Sequence, residues 1–242
     1  MKTPLNTITD SPQILKKATF SSLLAFYIKK YKVYLTIASE AIALSFCRQH
    51  SDKFNQLRRY FSIKIVRNAG AKVNLTGVIE DDTDILIINH QSMTDIFAME
   101  EVVGNDVRFV GRTGIMDKWP VAGIVNRVGH ITIDQQDRRA IIKLIKEVKL
   151  RKGKKIIIFP EGTRTQTGEI GKFEAGTKVL VEKLSLKAQP VIIKNILSVY
   201  DEANRYAKSG TIEIEALPPV VLEDGWYEKM HADMTKVFSR NH

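Results

Sequence analysis

The chain has 242 residues, 44% hydrophobic and 26% charged, with 37 Lys and Arg against 27 Asp and Glu, a formal net charge of +10. That mix fits one globular domain with a modest extension. The single Cys47 excludes an internal disulfide and any CxxC zinc or redox pair, and no run approaches the ~20 apolar residues of a membrane-spanning helix.

Residues 1–12, with Pro4 and Pro12, are expected to fray. From Ile14 to Arg59 the period is helical: Ile14-Leu15, Phe20, Leu23-Leu24, Tyr27-Ile28, Tyr31 and Tyr34-Leu35 recur at three-to-four spacing, with lysine pairs between them. A second apolar stretch, Ala41 to Cys47, follows, and Cys47 reads as a packing residue. Residues 1–60 hold ten bases and three acids, so +7 of the excess sits there. Such asymmetry points to a polyanion, either nucleic acid or an anionic membrane face. Basic residues interleaved with aromatic and aliphatic ones fit helices lying in a bilayer interface, the alternative being a soluble helical hairpin packed on the main domain. Ala18–Ile28 lacks a small-residue cleavage site after it and runs straight into Lys29 and Lys30, so a secretory signal is not expected. The division expected is a helical membrane-associating element, 1–59, and a domain over 60–242.

From about Lys72 strands and helices alternate. Strands are expected over 84–89, 107–110, 129–134, 155–159, 190–196 and 211–216. Helices are expected over 95–103, 138–151, 175–185 and 226–238, and a Gly/Pro-punctuated segment separates the second and third strands. This alternation predicts an α/β fold, a largely parallel central sheet flanked by helices, with sites in the loops after the strand C-termini.

Two motifs fall in such loops. His90-Gln91-Ser92-Met93-Thr94-Asp95 places a base five residues before an acid. Five residues turn a helix by about 140°, so the pair meets only if a turn intervenes and Asp95 opens the next helix, with Ser92 as N-cap. Asp95 then orients one imidazole nitrogen and leaves the other as a base, or it merely caps backbone donors. In Phe159-Pro160-Glu161-Gly162-Thr163-Arg164, Pro160 ends the strand and Gly162 lets amides approach a ligand. Arg164 offers a fork for phosphate oxygens, and Glu161 accepts from a substrate hydroxyl or braces the loop. There is no GxSxG, P-loop, HExxH or GxGxxG pattern, and His50, His130, His231 and His242 have no ligand spacing. His130 reads as structural.

An H-x4-D box followed by F-P-E-G-T-R resembles the glycerolipid acyltransferases over about residues 60–220. Phe109–Arg112 and Gly129–Asp134 are similar to the family's second block, and Pro190–Ile193 to its fourth, which borders the acyl or donor site. The resemblance implies transfer of a fatty acyl group from acyl-carrier protein or coenzyme A to the 2-hydroxyl of lysophosphatidate, without metal or other cofactor. His90 would be the general base and Asp95 its orienting acid. Arg112, Glu161, Gly162, Thr163 and Arg164 would bind the acceptor. It also implies a monotopic enzyme on the cytoplasmic face of the cell membrane, touching anionic lipids. One departure stands out: the second block ordinarily ends in Arg, and this chain has Gln135, with Arg138 or Arg139 as candidate replacements. Another lysolipid acceptor, or a membrane-surface binding protein without turnover, are the rival readings. Nucleic-acid binding rests on net charge alone and lacks a recognition motif.

Overall fold

The computed structural model describes residues 20–49, 51–104, 107–114 and 116–240; the expected fraying at 1–12 and the helix start at Ile14 lie outside them. Two helices come first, α1 (Phe20–Ser45) and α2 (Asp52–Ala69). Ser51 opens α2 by accepting from the Phe54 N–H, and Gly70, at φ +93°, closes it by donating to Arg67. α2 therefore runs unbroken across the expected division at 59/60.

The strands are β1 (Ala71–Thr76), β2 (Ile85–Ile88), β3 (Val107–Arg112), β4 (Ile131–Ile133), β5 (Lys155–Ile158), β6 (Ala188–Lys194), β7 (Tyr200–Asp201), β8 (Tyr206–Ala207) and β9 (Gly210–Ala216). The remaining helices are α3 (Thr94–Val103), α4 (Val121–Val128), α5 (Ala140–Leu150), α6 (Ala175–Leu184), α7 (Ile196–Val199) and α8 (Trp226–Ser239). Seven strands form one sheet in the order β1-β9-β6-β2-β5-β3-β4, parallel except where β9 meets β6, while β7 and β8 form a separate hairpin. The expected largely parallel sheet with flanking helices is what the chain forms.

Successive strand residues point to opposite faces, so the three isoleucines and one leucine of β2 divide between two cores. Leu86 and Ile88 pack with Phe26, Val33, Ile37 and Leu44 of α1 and Phe54 and Ile65 of α2; Ile85 and Ile87 pack with Leu144 of α5, Leu180 of α6 and Trp226 and Met230 of α8. The first two helices thus share the main core. α1 also shows an outer row, Phe20, Leu24, Tyr27, Ile28, Tyr31 and Leu35, that stays exposed.

Five elements were not expected: α4, α7, β1, β7 and β8. In α4, Pro120 and Gly123 punctuate the segment, but proline is tolerated at a helix start, and an added Cβ at Gly123 would lie 3.4 Å from the Ala41 Cβ of α1, an ordinary contact distance. Trp119, just before it, is 71% exposed, whereas Trp226 is buried. β1 is an edge strand with an exposed face, and β7–β8 is two residues long on each side, so neither carries a hydrophobic alternation.

A polar cluster is buried where α1, α2 and α3 meet. Arg58 pairs with Glu100, and Ser62 donates to the same carboxylate. Glu40 is buried alongside, with Oε2 unpartnered. His130 is buried as expected of a structural residue: its Nδ1 accepts from the Phe109 N–H at 3.2 Å, so that nitrogen carries no proton. Burial, then the charges of Arg58, Arg108 and Arg151, hold it far below the ordinary histidine range and therefore neutral.

Candidate active site

β2 and β5 are parallel neighbours, so the loops after their C-termini lie side by side and bring the two sequence motifs together. Two backbone links join them: the His90 N–H donates to Glu161 Oε1 at 2.7 Å, and the Thr165 N–H donates to the His90 carbonyl at 2.8 Å. Asn89 fixes the strand end by exchanging both side-chain amide bonds with the backbone of Ile193 in β6.

The turn that the five-residue spacing required is present. Asp95 lies in the first turn of α3, and its Oδ2 accepts from the N–H groups of Gln91 and Ser92 at 2.7 and 2.9 Å and pairs with His90 Nδ1 at 2.8 Å. Capping and orienting are one arrangement. A carboxylate that collects backbone N–H donors is an acceptor, so Nδ1 carries the proton and Nε2 is left with its lone pair. Met93, not Ser92, occupies the N-cap position; Ser92 Oγ instead contacts Thr94 Oγ1 at 2.9 Å. The His90 ring stacks on Phe159 at 4.0 Å, and Phe159 on Phe109 at 6.3 Å, which fixes the imidazole plane from below.

Glu161 is turned into the loop frame. It is buried, Oε2 accepts from Thr165 Oγ1 and from the Gly171 N–H, and Oε1 is taken by His90. Burial raises its pKa above the usual carboxylate range, opposed by those three hydrogen bonds. Of its two expected roles, bracing the loop is the one its partners leave room for. Gly171 belongs to that brace, because a Cβ there would stand 2.7 Å from Glu161 Oε2.

A cavity of about 280 Å³ opens beside this frame, lined by His90, Arg112, Gly162, Thr163 and Arg164 and by apolar residues including Ile96, Phe109, Val110, Met116, Ile133 and Leu144. Gly162, at φ +65°, makes the turn that no β-carbon would accept cheaply. Gln135 donates to the Gly162 carbonyl at 3.1 Å, so it supports the turn. Neither Arg138 nor Arg139 is part of the cavity wall, nor are Pro190–Ile193, which sit in β6; Pro190 instead borders a separate cavity beside Trp226. Arg164 Nη1 pairs with Glu202 Oε2 at 2.6 Å. Glu202 and Gln135 are partners that spacing could not reveal, since they lie 38 and 27 residues from the atoms they hold. The arrangement offers a base oriented by an acid, two guanidinium groups and an apolar wall.

Residues 72–194 match the family model described as Acyltransferase. A 1-acyl-sn-glycerol-3-phosphate acyltransferase of Helicobacter pylori is 27% identical over 180 residues, covering 72% of this chain and 76% of its own. The human 1-acyl-sn-glycerol-3-phosphate acyltransferase alpha is 24% identical over 220 residues, covering 87% and 78%. The crystal structure of a 1-acyl-sn-glycerophosphate acyltransferase from Thermotoga maritima superposes with a TM-score of 0.68 at 20% identity, over 93% of this chain and 95% of that one, and so shares the fold.

Proposed function

The chain belongs to the acyltransferase family, and from that premise we propose that it is a 1-acyl-sn-glycerol-3-phosphate acyltransferase, moving a fatty acyl group from a thioester to the 2-hydroxyl of lysophosphatidate to form phosphatidate. The observation that carries the reading is the His90 Nδ1–Asp95 Oδ2 pair at 2.8 Å, on a cavity whose wall combines apolar side chains with Arg112 and Arg164. An acyl chain matches the first part of that wall and a phosphate the second.

In this mechanism His90 Nε2 takes the proton of the acceptor hydroxyl as the oxygen bonds to the acyl carbonyl carbon. The carbon–sulfur bond then breaks, and the departing thiolate takes the proton back from His90. Asp95 favours the imidazolium formed between these steps. Much of the acceleration is orientation, since the frame holds the base before substrate arrives. The donor is an acyl thioester of acyl-carrier protein or coenzyme A.

Among the described residues no helix is long and apolar enough to cross a membrane. The exposed aromatic and aliphatic row of α1, with Lys29, Lys30 and Lys32 on the same helix, supports an enzyme that lies on the cytoplasmic face of the cell membrane against anionic lipids.

The test is acyl transfer by purified protein in mixed micelles, with lysophosphatidate or a lyso-aminolipid as acceptor, for wild type and His90→Ala. Turnover of lysophosphatidate, lost in the variant, is expected. Turnover of the lyso-aminolipid alone moves the protein to another acceptor; none with either leaves a lipid-surface binder. Arg164→Lys is a sharper probe of the phosphate site. Arg has five donors, and the Glu202 pair occupies Nη1. A lysine cannot hold Glu202 and fork a phosphate together, so KM for lysophosphatidate should rise about tenfold at nearly constant kcat. An unchanged KM would remove Arg164 from phosphate binding.

A further inference from the structure

The second concentration of positive charge lies far from α1 in the chain. Residues 138–154 hold eight basic residues and a single acid, Glu147, an excess of +7. α5 turns Leu144 and Val148 into the core, and Arg139, Lys143, Lys146 and Lys149 follow one another at three- and four-residue spacing, so they share an outer stripe. Ile142 and Leu150 continue the same stripe and are 64% and 70% exposed. Lys143 also pairs with Asp137 at the N-terminal end, while Arg151 is drawn inward to the Gly129 carbonyl and Glu147.

Ile142 and Leu150 give this basic face an apolar component beside its charge. Lysines set between two exposed aliphatic side chains, Ile142 and Leu150, are the complement of an acidic protein surface with apolar contacts at its edges. The place of α5 in the fold narrows the partner further. Its inner side reaches the proposed active site, because Leu144 lines the cavity together with His90. Its outer side looks away from α1: α1 packs on the sheet face that carries Leu86 and Ile88, and α5 on the face that carries Ile85 and Ile87. A flat bilayer held against the exposed row of α1 does not reach that stripe. Ile142 and Leu150 also have no π-face on which a nucleic-acid base could stack.

We infer that the outer stripe of α5 docks a soluble acidic protein, the carrier that brings the acyl thioester to the cavity. The inference rests on the acyltransferase reading above and specifies how one of its two substrates arrives.

Two measurements on the full chain in mixed micelles test it. In the first, binding of fluorescently labelled acyl-carrier protein is titrated against wild type, Lys146→Glu/Lys149→Glu and the milder Lys146→Gln/Lys149→Gln. Charge reversal should weaken binding at least about tenfold, and neutralisation less, with wild-type binding itself fading as salt screens the contact. In the second, kinetics compare the same acyl chain on carrier protein and on coenzyme A. KM for the carrier-borne donor should rise about tenfold in the reversed variant, with coenzyme A kinetics within about twofold of wild type. Equal losses with both donors, or wild type that fails to bind the carrier, overturn the proposal. So does loss of the variant's binding to phosphatidylglycerol vesicles, which would make the stripe a membrane surface. Wild type that binds carrier without turnover of either donor sinks the enzyme reading and leaves the docking site standing.

Discussion

Asp95→Asn is expected to lower kcat for acyl transfer by about 10²- to 10⁴-fold while KM for lysophosphatidate stays within about twofold. The amide keeps the size of the carboxylate, and its oxygen can still accept from Gln91, Ser92 and His90 Nδ1, the three donors that Asp95 Oδ2 now holds. The negative charge that favours the imidazolium is what disappears. Its NH2 group would take the place of Oδ1, which is buried without a partner, so a modest loss of stability accompanies the loss of rate. Steady-state kinetics beside a thermal melt separate the two effects. A kcat within about threefold of wild type would mean that Asp95 serves only as a cap.

The second large effect is on stability. Arg58→Ala removes the cation from a buried cluster and leaves Glu40 and Glu100 facing each other, which should cost about 3–5 kcal/mol. For a chain of this size that is a Tm decrease of about 10 °C. A drop below about 2 °C would show that the cluster contributes little to stability. The same cluster makes stability depend on pH. Burial first, and then the charge of Glu100, raises the Glu40 carboxyl well above its ordinary value of 4.5, against the pull of Arg58. The folded chain therefore keeps a proton that the unfolded chain releases near pH 4.5, and the associated stability is complete below that pH and declines as pH rises toward the folded value. Glu40→Gln imitates the protonated form, so its Tm relative to wild type should improve steadily from about pH 4.5 upward. A difference in Tm that stays constant with pH would refute the assignment.

Where the sequence was legible, the signal was local. Ile85–Ile88 is apolar at every position because both faces of a central strand are covered, and the run announces itself without help from the rest of the chain. The His90–Asp95 spacing admits few conformations, and the one that brings the two side chains together is the one found. Glu161 was ambiguous for the opposite reason: its three donors come from His90, Thr165 and Gly171, and only the pairing of β2 with β5 brings the first of these near. Glu202 carried no signal at all, since an acidic residue in a turn is ordinary and its importance lies in facing Arg164 across the fold. α4 was hidden by the punctuation of its segment: Pro120 stands just before the first helical residue and Gly123, a poor helix former, sits inside the helix.

The unequal settings of the two tryptophans turn the protein's own emission into an instrument. Trp226 donates to Glu182 Oε1 at 3.0 Å and is shielded from solvent quenchers, whereas Trp119, just before α4, stands in solvent. Iodide therefore quenches one source and spares the other. A blue shift on adding lipid vesicles reports what happens to Trp119, and a red shift on heating reports the opening of α8 around Trp226. Contact with a lipid surface and loss of structure, which light scattering and circular dichroism easily confuse in turbid samples, move this spectrum in opposite directions.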